Sequence, residues 1–181
     1  MHPIEVLFPI SRRATFHGSS GKLDIAVTQC TFVAWHGPTL AGFPKSLRIK
    51  HLVKSGSTPA FAEIAVLEIL RASGWQAVWL DAHHRRVWSS MSQYTRFRSG
   101  MEFQGMSHAA TQQFWRIFSA NQVKLAGAWD IFAAKETRIA FLELKEVGPD
   151  RLRLSQMKWF ETALREGTNV DSFRLIEWSR R

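Results

Sequence analysis

Two short alternating runs, Trp129 to Ala134 and Arg138 to Lys145, flank Lys135-Glu136-Thr137, and no other feature constrains the fold of this chain so tightly. Alternation over that length suits a half-buried strand, and turn-compatible residues between two such runs predict a β-hairpin. Side chains two apart on a strand share a face, so Glu143 and Lys145 point one way while Leu142 and Leu144 point the other. Pairing the runs brings Asp130 beside Glu143. Two carboxylates so placed offer the hard oxygen ligands that Mg²⁺ or Mn²⁺ takes alongside waters and phosphate oxygens, and a cation beside them can orient a water. On an exposed hairpin the same Asp, Glu and Lys would be no more than a solvated face.

Upstream, Thr58 to Trp75 predicts a helix, with Thr58 as cap, Pro59 at the first helical position and Gly74 at the left-handed C-terminal position. On the helix wheel Glu63 falls between Leu67 and Leu70, inside the apolar arc, while Glu68 and Arg71 lie on the other side. A carboxylate among core-facing side chains is costly unless it meets a metal, a cation or a donor. Glu63 therefore requires a partner, and an arginine at the helix edge would be the plain one.

Downstream, Ser155 is a candidate N-cap for a helix that Gly167 closes, with Trp159/Ala163 and Phe160/Leu164 recurring at i,i+4. Gln156 then lies in the first turn, where free N–H groups and the helix dipole favour a phosphate, and Arg151, Arg153 and Lys158 add charge. Trp75 to Leu80 predicts an earlier strand and Asp171 to Trp178 a closing one. Between the first strand and the hairpin lies a long excursion, Asp81 to Ala126. Within it, Ser107 to Gln122 predicts an inserted helix that packs Phe114, Trp115, Ile117 and Phe118 on the core. Arg85, Arg86, Arg96 and Arg98 interleave there with Trp88, Tyr94 and Phe97, and no acid occurs between Asp81 and Glu102. Such a cluster suits gripping phosphates and stacking on bases, or packing aliphatic stems under a loop. His83 and His84 lack a third ligand nearby and are assigned no role.

Gly127-x-x-Asp130, Glu143-x-Lys145 and the following helix with Gln156 resemble the PD-(D/E)xK nuclease superfamily, nearest to its VRR-NUC-type and Holliday-junction-resolvase-like nucleases. Trp129 stands where that branch carries a proline, and the likeness spans roughly residues 59 to 178. The resemblance implies an α/β fold with a restriction-endonuclease-like αβββαβ core. That core is a small mixed sheet flanked by helices, with the inserted helix between its first strand and the catalytic hairpin. It implies Asp130, Glu143, Lys145, Glu63 and Gln156 as the catalytic set. Mg²⁺ or Mn²⁺ would be held by Asp130, Glu143 and the Leu144 carbonyl, with Lys145 positioning the attacking water. Arg85, Arg86, Arg96, Arg98, Arg151, Arg153 and Lys158 are the expected nucleic-acid contacts. The implied partner is DNA, with RNA left open, and structure-specific cleavage is what the VRR-NUC branch suggests. Many nucleases of this fold act as dimers, but no self-complementary face is legible here.

A formal net charge of +9, from 24 Lys and Arg against 15 Asp and Glu, suits a polyanionic partner. Thirteen Phe and eight Trp with one Tyr suit apolar packing, and the single Cys30 excludes an internal disulfide. No apolar run approaches the ~18 residues of a membrane span, and Val6 to Ile10 is broken by Pro9 and followed by Arg12-Arg13. A soluble, cytoplasmic protein is the expectation. Residues 1–57 carry seven of the Lys and Arg against two acids and are expected to be a basic N-terminal extension, β-rich or partly disordered, ahead of a nuclease-like core at 58–181. Such an extension could be a DNA-binding arm, a small β appendage or a poorly ordered leader. Leu23 to Trp35 predicts one or two strands there, and His17 to Lys22, which lacks the Walker spacing, reads as a turn. The leading expectation is a metal-dependent deoxyribonuclease. The alternatives are a non-catalytic nucleic-acid-binding module on the same fold and a protein-interaction domain built on the aromatic insert.

Overall fold

The hairpin read from the sequence forms the centre of a computed structural model that describes residues 3–18, 21–38, 45–48, 50–122, 124–148 and 151–181. The elements run α1 (Ile4–Leu7), β1 (Arg12–Gly18), β2 (Gly21–Phe32), α2 (Lys45–Arg48), β3 (Leu52–Ser55), β4 (Thr58–Phe61), α3 (Ala62–Ala72) and β5 (Gln76–Asp81). They continue with β6 (Arg86–Ser90), β7 (Gln93–Arg96), α4 (His108–Ala120), β8 (Ile131–Lys135), β9 (Arg138–Glu146), α5 (Leu154–Arg165) and β10 (Phe173–Arg180). The main sheet has eight strands in the order β1-β2-β10-β9-β8-β5-β6-β7, and β3 and β4 form a separate two-stranded hairpin. Strand β10 runs parallel to both β2 and β9, while the other neighbours are antiparallel, so the sheet is mixed.

Strand periodicity sorts the apolar side chains onto two faces. Trp79, Leu142, Leu144 and Ile176 join Ile64, Leu67 and Leu70 of α3 in one buried layer. Val78, Leu80, Phe132, Phe141 and Leu175 join Phe114 and Ile117 of α4 and Trp159 and Phe160 of α5 in the other. The result is an α/β fold, a mixed sheet with helices on both sides. Phe114, wholly buried, packs its ring against Phe97, Phe103, Phe132 and Trp159. Burial of one such side chain contributes about 2–3 kcal/mol. Among the described residues no helix is long and apolar enough to cross a membrane.

The inserted helix starts where expected, since the Ser107 hydroxyl accepts from the Ala110 N–H at 3.2 Å. Part of the rest of the excursion is also regular, because β6 and β7 extend the sheet beyond β5. Two predicted caps move. Thr58 does not cap α3: residues 58–61 pair with 52–55 across a turn at Gly56, and the Thr58 hydroxyl bonds the Ser55 carbonyl, so the helix begins at Ala62. Ser155 does not cap α5 either. The cap position is Arg153, whose N–H is taken by the Gln156 side chain at 2.9 Å. Gly74 and Gly167 sit just beyond their helices with φ of +79° and +85°, as their positions required.

Residues 1–57 were expected as an extension, yet β2 hydrogen-bonds directly to β10 and the proposed boundary at 57/58 falls inside the β3–β4 hairpin. The sheet is accordingly larger than the small one expected. Of the stretch His17 to Lys22 expected as a turn, His17 and Gly18 end β1 and pair with Lys22 and Gly21 of β2, and residues 19 and 20 lie outside the described residues. Residues 149 and 150, between β9 and α5, also lie outside them.

Candidate active site

At one end of the sheet, a cleft of about 620 Å³ is lined from both faces. Asp130, Glu143, Leu144, Lys145, Glu63, Gln156 and Arg153, all singled out from the sequence, line it together. Hairpin register explains the centre: Ile131 pairs with Leu142, so Asp130 falls opposite Glu143. The Asp130 N–H donates to Glu143 Oε2 at 3.2 Å, and Asp130 Oδ2 accepts from the Leu144 N–H at 2.9 Å. A strand residue's N–H and C=O leave on the same edge, so the Leu144 carbonyl also faces the Asp130 side.

Glu143 is almost fully buried and is held from three directions. Lys145 Nζ lies 2.8 Å from Oε1, the Gln156 amide donates to the same oxygen, and Asp130 donates to the other. Helix α5 supplies Gln156 because Gly127 lets it approach: a Cβ on Gly127 would stand 2.2 Å from the Ser155 carbonyl oxygen, and its φ is +87°. Trp129, the residue in the proline position, fixes the same turn, its indole donating to the Gln156 carbonyl at 3.2 Å.

Burial, then the Glu143 and Glu63 charges, push the Asp130 carboxyl well above the usual carboxylate range, against the pull of Lys50 and the Leu144 N–H. Burial also pushes Glu143 up, opposed chiefly by Lys145. Asp130 thus feels Glu143 on the α5 face and Glu63 on the α3 face. Among the described residues no group of three or more His, Cys, Asp and Glu is arranged to hold a metal ion alone. Two crowded carboxylates and a strand carbonyl nevertheless fit a hard cation that completes its shell with waters and substrate oxygens, and its charge would relieve their repulsion.

Glu63 finds its partner in Lys50 rather than in an arginine: the two form an ion pair, and Lys50 Nζ lies 4.8 Å from the Trp79 ring centroid. Burial pulls the Lys50 amine down, but Glu63, Asp130 and Asp81 outweigh it and hold the amine above its usual value. Sequence reasoning missed Lys50 because its segment carries no periodicity. It also missed Asp81 and His84, which line the cleft as a hydrogen-bonded pair with 2.8 Å between Nδ1 and Oδ2. An acid directly after the apolar run Trp75 to Leu80 was the available signal for Asp81.

The expected nucleic-acid contacts divide. Arg153 lines the cleft, whereas Lys158 lines an adjoining groove with Lys124, Arg165 and His17, and Ser155 borders both. Arg151 is exposed and lines neither. Arg86 and Arg96 are cross-strand partners on the β6–β7 hairpin, with the Arg86 guanidinium 4.2 Å from the Tyr94 ring centroid. Arg85 and Arg98 flank that hairpin and are exposed. Burial pushes the Cys30 thiol up to about 11, in keeping with a residue that has no nucleophilic role. Comparisons with protein-family models, with curated proteins and with solved structures found no match.

Proposed function

We propose that this chain is a divalent-metal-dependent nuclease that hydrolyses phosphodiester bonds in DNA on a restriction-endonuclease-like core. The observation that carries the reading is the convergence of Glu63, Asp130, Glu143, Lys145 and Gln156, from α3, β8, β9 and α5, on one cleft. A module that only bound nucleic acid would gain little from acids facing a phosphate, whereas a metal-assisted hydrolase uses them to hold its cation. The order α3, β5, β8, β9, α5, β10, with β5, β8 and β9 antiparallel and β10 parallel to β9, supports the αβββαβ core. In this reading β6, β7 and α4 are its insert.

Asp130, Glu143 and the Leu144 carbonyl would hold Mg²⁺ or Mn²⁺, whose charge lowers the pKa of a nearby water and offsets charge growing on the phosphoryl oxygens. Lys145, braced on Glu143, orients the attacking water, and Gln156 keeps Glu143 in place. The N-terminus of α5 and Arg153 give the phosphate a positive approach. Arg86 and Arg96 on one side and Lys158 on the other grip the flanking strands.

The test incubates the wild type and Lys145→Ala with single-stranded, duplex, flapped and branched DNA in Mg²⁺, Mn²⁺ and EDTA. Metal-dependent cutting that Lys145→Ala loses is the expected result. Salt-sensitive binding without cutting on any substrate would replace the nuclease with a binding module.

A further inference from the structure

The sheet order β9-β8-β5 sets three chemical groups side by side across the cleft: Glu143 and Lys145 on β9, Asp130 at the start of β8, and Asp81 at the end of β5. The register fixes this, since Leu80 N–H donates to the Asp130 carbonyl at 2.6 Å and Asp81 is the next residue. Neighbouring strands lie about 4.8 Å apart, so the two outer groups are on the order of 10 Å from one another with Asp130 between them. They also rise from opposite faces. Glu143 meets Gln156 of α5, whereas Asp81 bonds Trp88, which packs in the layer beneath α3.

Asp81 is buried and its carboxylate is fully engaged. It accepts from the His84 N–H at 3.1 Å, from the Trp88 indole at 3.3 Å and from His84 Nδ1 at 2.8 Å. A carboxylate can only accept, so Nδ1 carries a hydrogen and Nε2 is the nitrogen that would meet substrate. The His84 side chain keeps 17% of its surface accessible and lines the same cleft.

Resting on the nuclease reading, we propose that His84 is a catalytic residue, the general acid that protonates the leaving oxygen. Asp81 is the positioning residue that orients it. In-line displacement requires the attacking water and the leaving oxygen on opposite sides of phosphorus. A scissile phosphate at the Asp130–Glu143 pair has Lys145 on one side for the water and His84 on the other for the leaving group. The water gives up a proton to solvent as its oxygen forms a bond to phosphorus, and the bond from phosphorus to the bridging oxygen breaks. The proton on His84 Nε2 passes to that oxygen, and imidazole regains a proton from solvent. Asp81 holds the ring by its Nδ1–H before and after the transfer, as a carboxylate does in other Asp–His pairs.

The experiment compares wild type, His84→Ala, His84→Asn and Asp81→Asn on oligonucleotides in which one bridging oxygen, 3′ or 5′, is replaced by sulfur. A thiolate leaves without a proton, so a general acid is dispensable on that linkage. The His84 variants are expected to lose about 100-fold or more on the oxygen linkage. On the sulfur linkage whose bridging atom departs, they should cut within a few-fold of wild type, which also shows that they are folded. Asp81→Asn should lose less, again on the oxygen linkage only. Equal losses on both linkages, or none, would overturn the role of His84 while wild-type cutting keeps the nuclease reading intact. A wild type that cuts neither linkage overturns both.

Discussion

The Trp129 indole donates to the main-chain carbonyl of Gln156 at 3.2 Å, tying the strand that carries Asp130 to the helix turn that braces Glu143. Both halves of the candidate site are thereby held by one buried aromatic residue. Beside it, Gly127 admits the backbone of Ser155.

Gly127→Ala should therefore be severe. The new methyl group meets the Ser155 carbonyl oxygen at 2.2 Å and the residue must keep a φ of +87°. Left-handed strain costs an alanine about 1–2 kcal/mol before the clash is counted, so urea denaturation should show a loss of about 2 kcal/mol or more. Gly100→Ala, with nothing within 4 Å of the added carbon, should show the strain alone.

Asp130→Asn should stabilise the metal-free protein at neutral pH. An unfolded Asp ionises near pH ~3.9, while burial and the neighbouring acids raise the folded-state value of Asp130 above that. Below the unfolded value both states are protonated and nothing is lost. As pH rises toward the folded value the unfolded chain releases its proton first, so the stability of the wild type falls. The variant should melt above wild type at about pH 7.5 and converge with it near about pH 4, each kcal/mol relieved appearing as about 2–4 °C. Mg²⁺ should narrow the gap by raising the wild type alone.

Lys50→Met leaves the Glu63 carboxylate, 6% exposed, without its ion-pair partner. A loss of about 1–2 kcal/mol is expected, at the low end because 39% of the Lys50 side chain is exposed. A double-mutant cycle with Glu63→Gln should recover much of it, and an additive result would remove the pair from the account of the site.

On the proposed nuclease reading, Arg86→Ala and Arg96→Ala should each weaken DNA binding across sequences and reduce the slope of log K against log salt by about one. Their cross-strand pairing predicts similar effects for the two. A slope equal to that of the wild type would remove the β6–β7 hairpin from the contact surface.

What could be read in advance was local. The hairpin, the Ser107-capped helix and the helix bearing Gln156 follow from periodicities that neighbouring residues enforce. Thr58 misled because residues 58–61 pair with 52–55, a partner that helix propensity does not register. Ser155 misled because the Gln156 side chain itself turns back to serve the N–H of Arg153. Lys50 and His84 were illegible for a different reason: each gains its meaning from a residue on another element or turn, Glu63 for one and Asp81 for the other.

Strand β10 lies between β2 and β9, and its Arg174 pairs with Ala26 on one side and Leu142 on the other. During synthesis β2 therefore leaves the ribosome long before the strand that completes its edge exists. Contacts so distant in sequence are slow to form, since the intervening loop must first be closed. Until β10 has been made, β2 is paired on its β1 side alone, and such a half-paired edge is open to pairing with other chains.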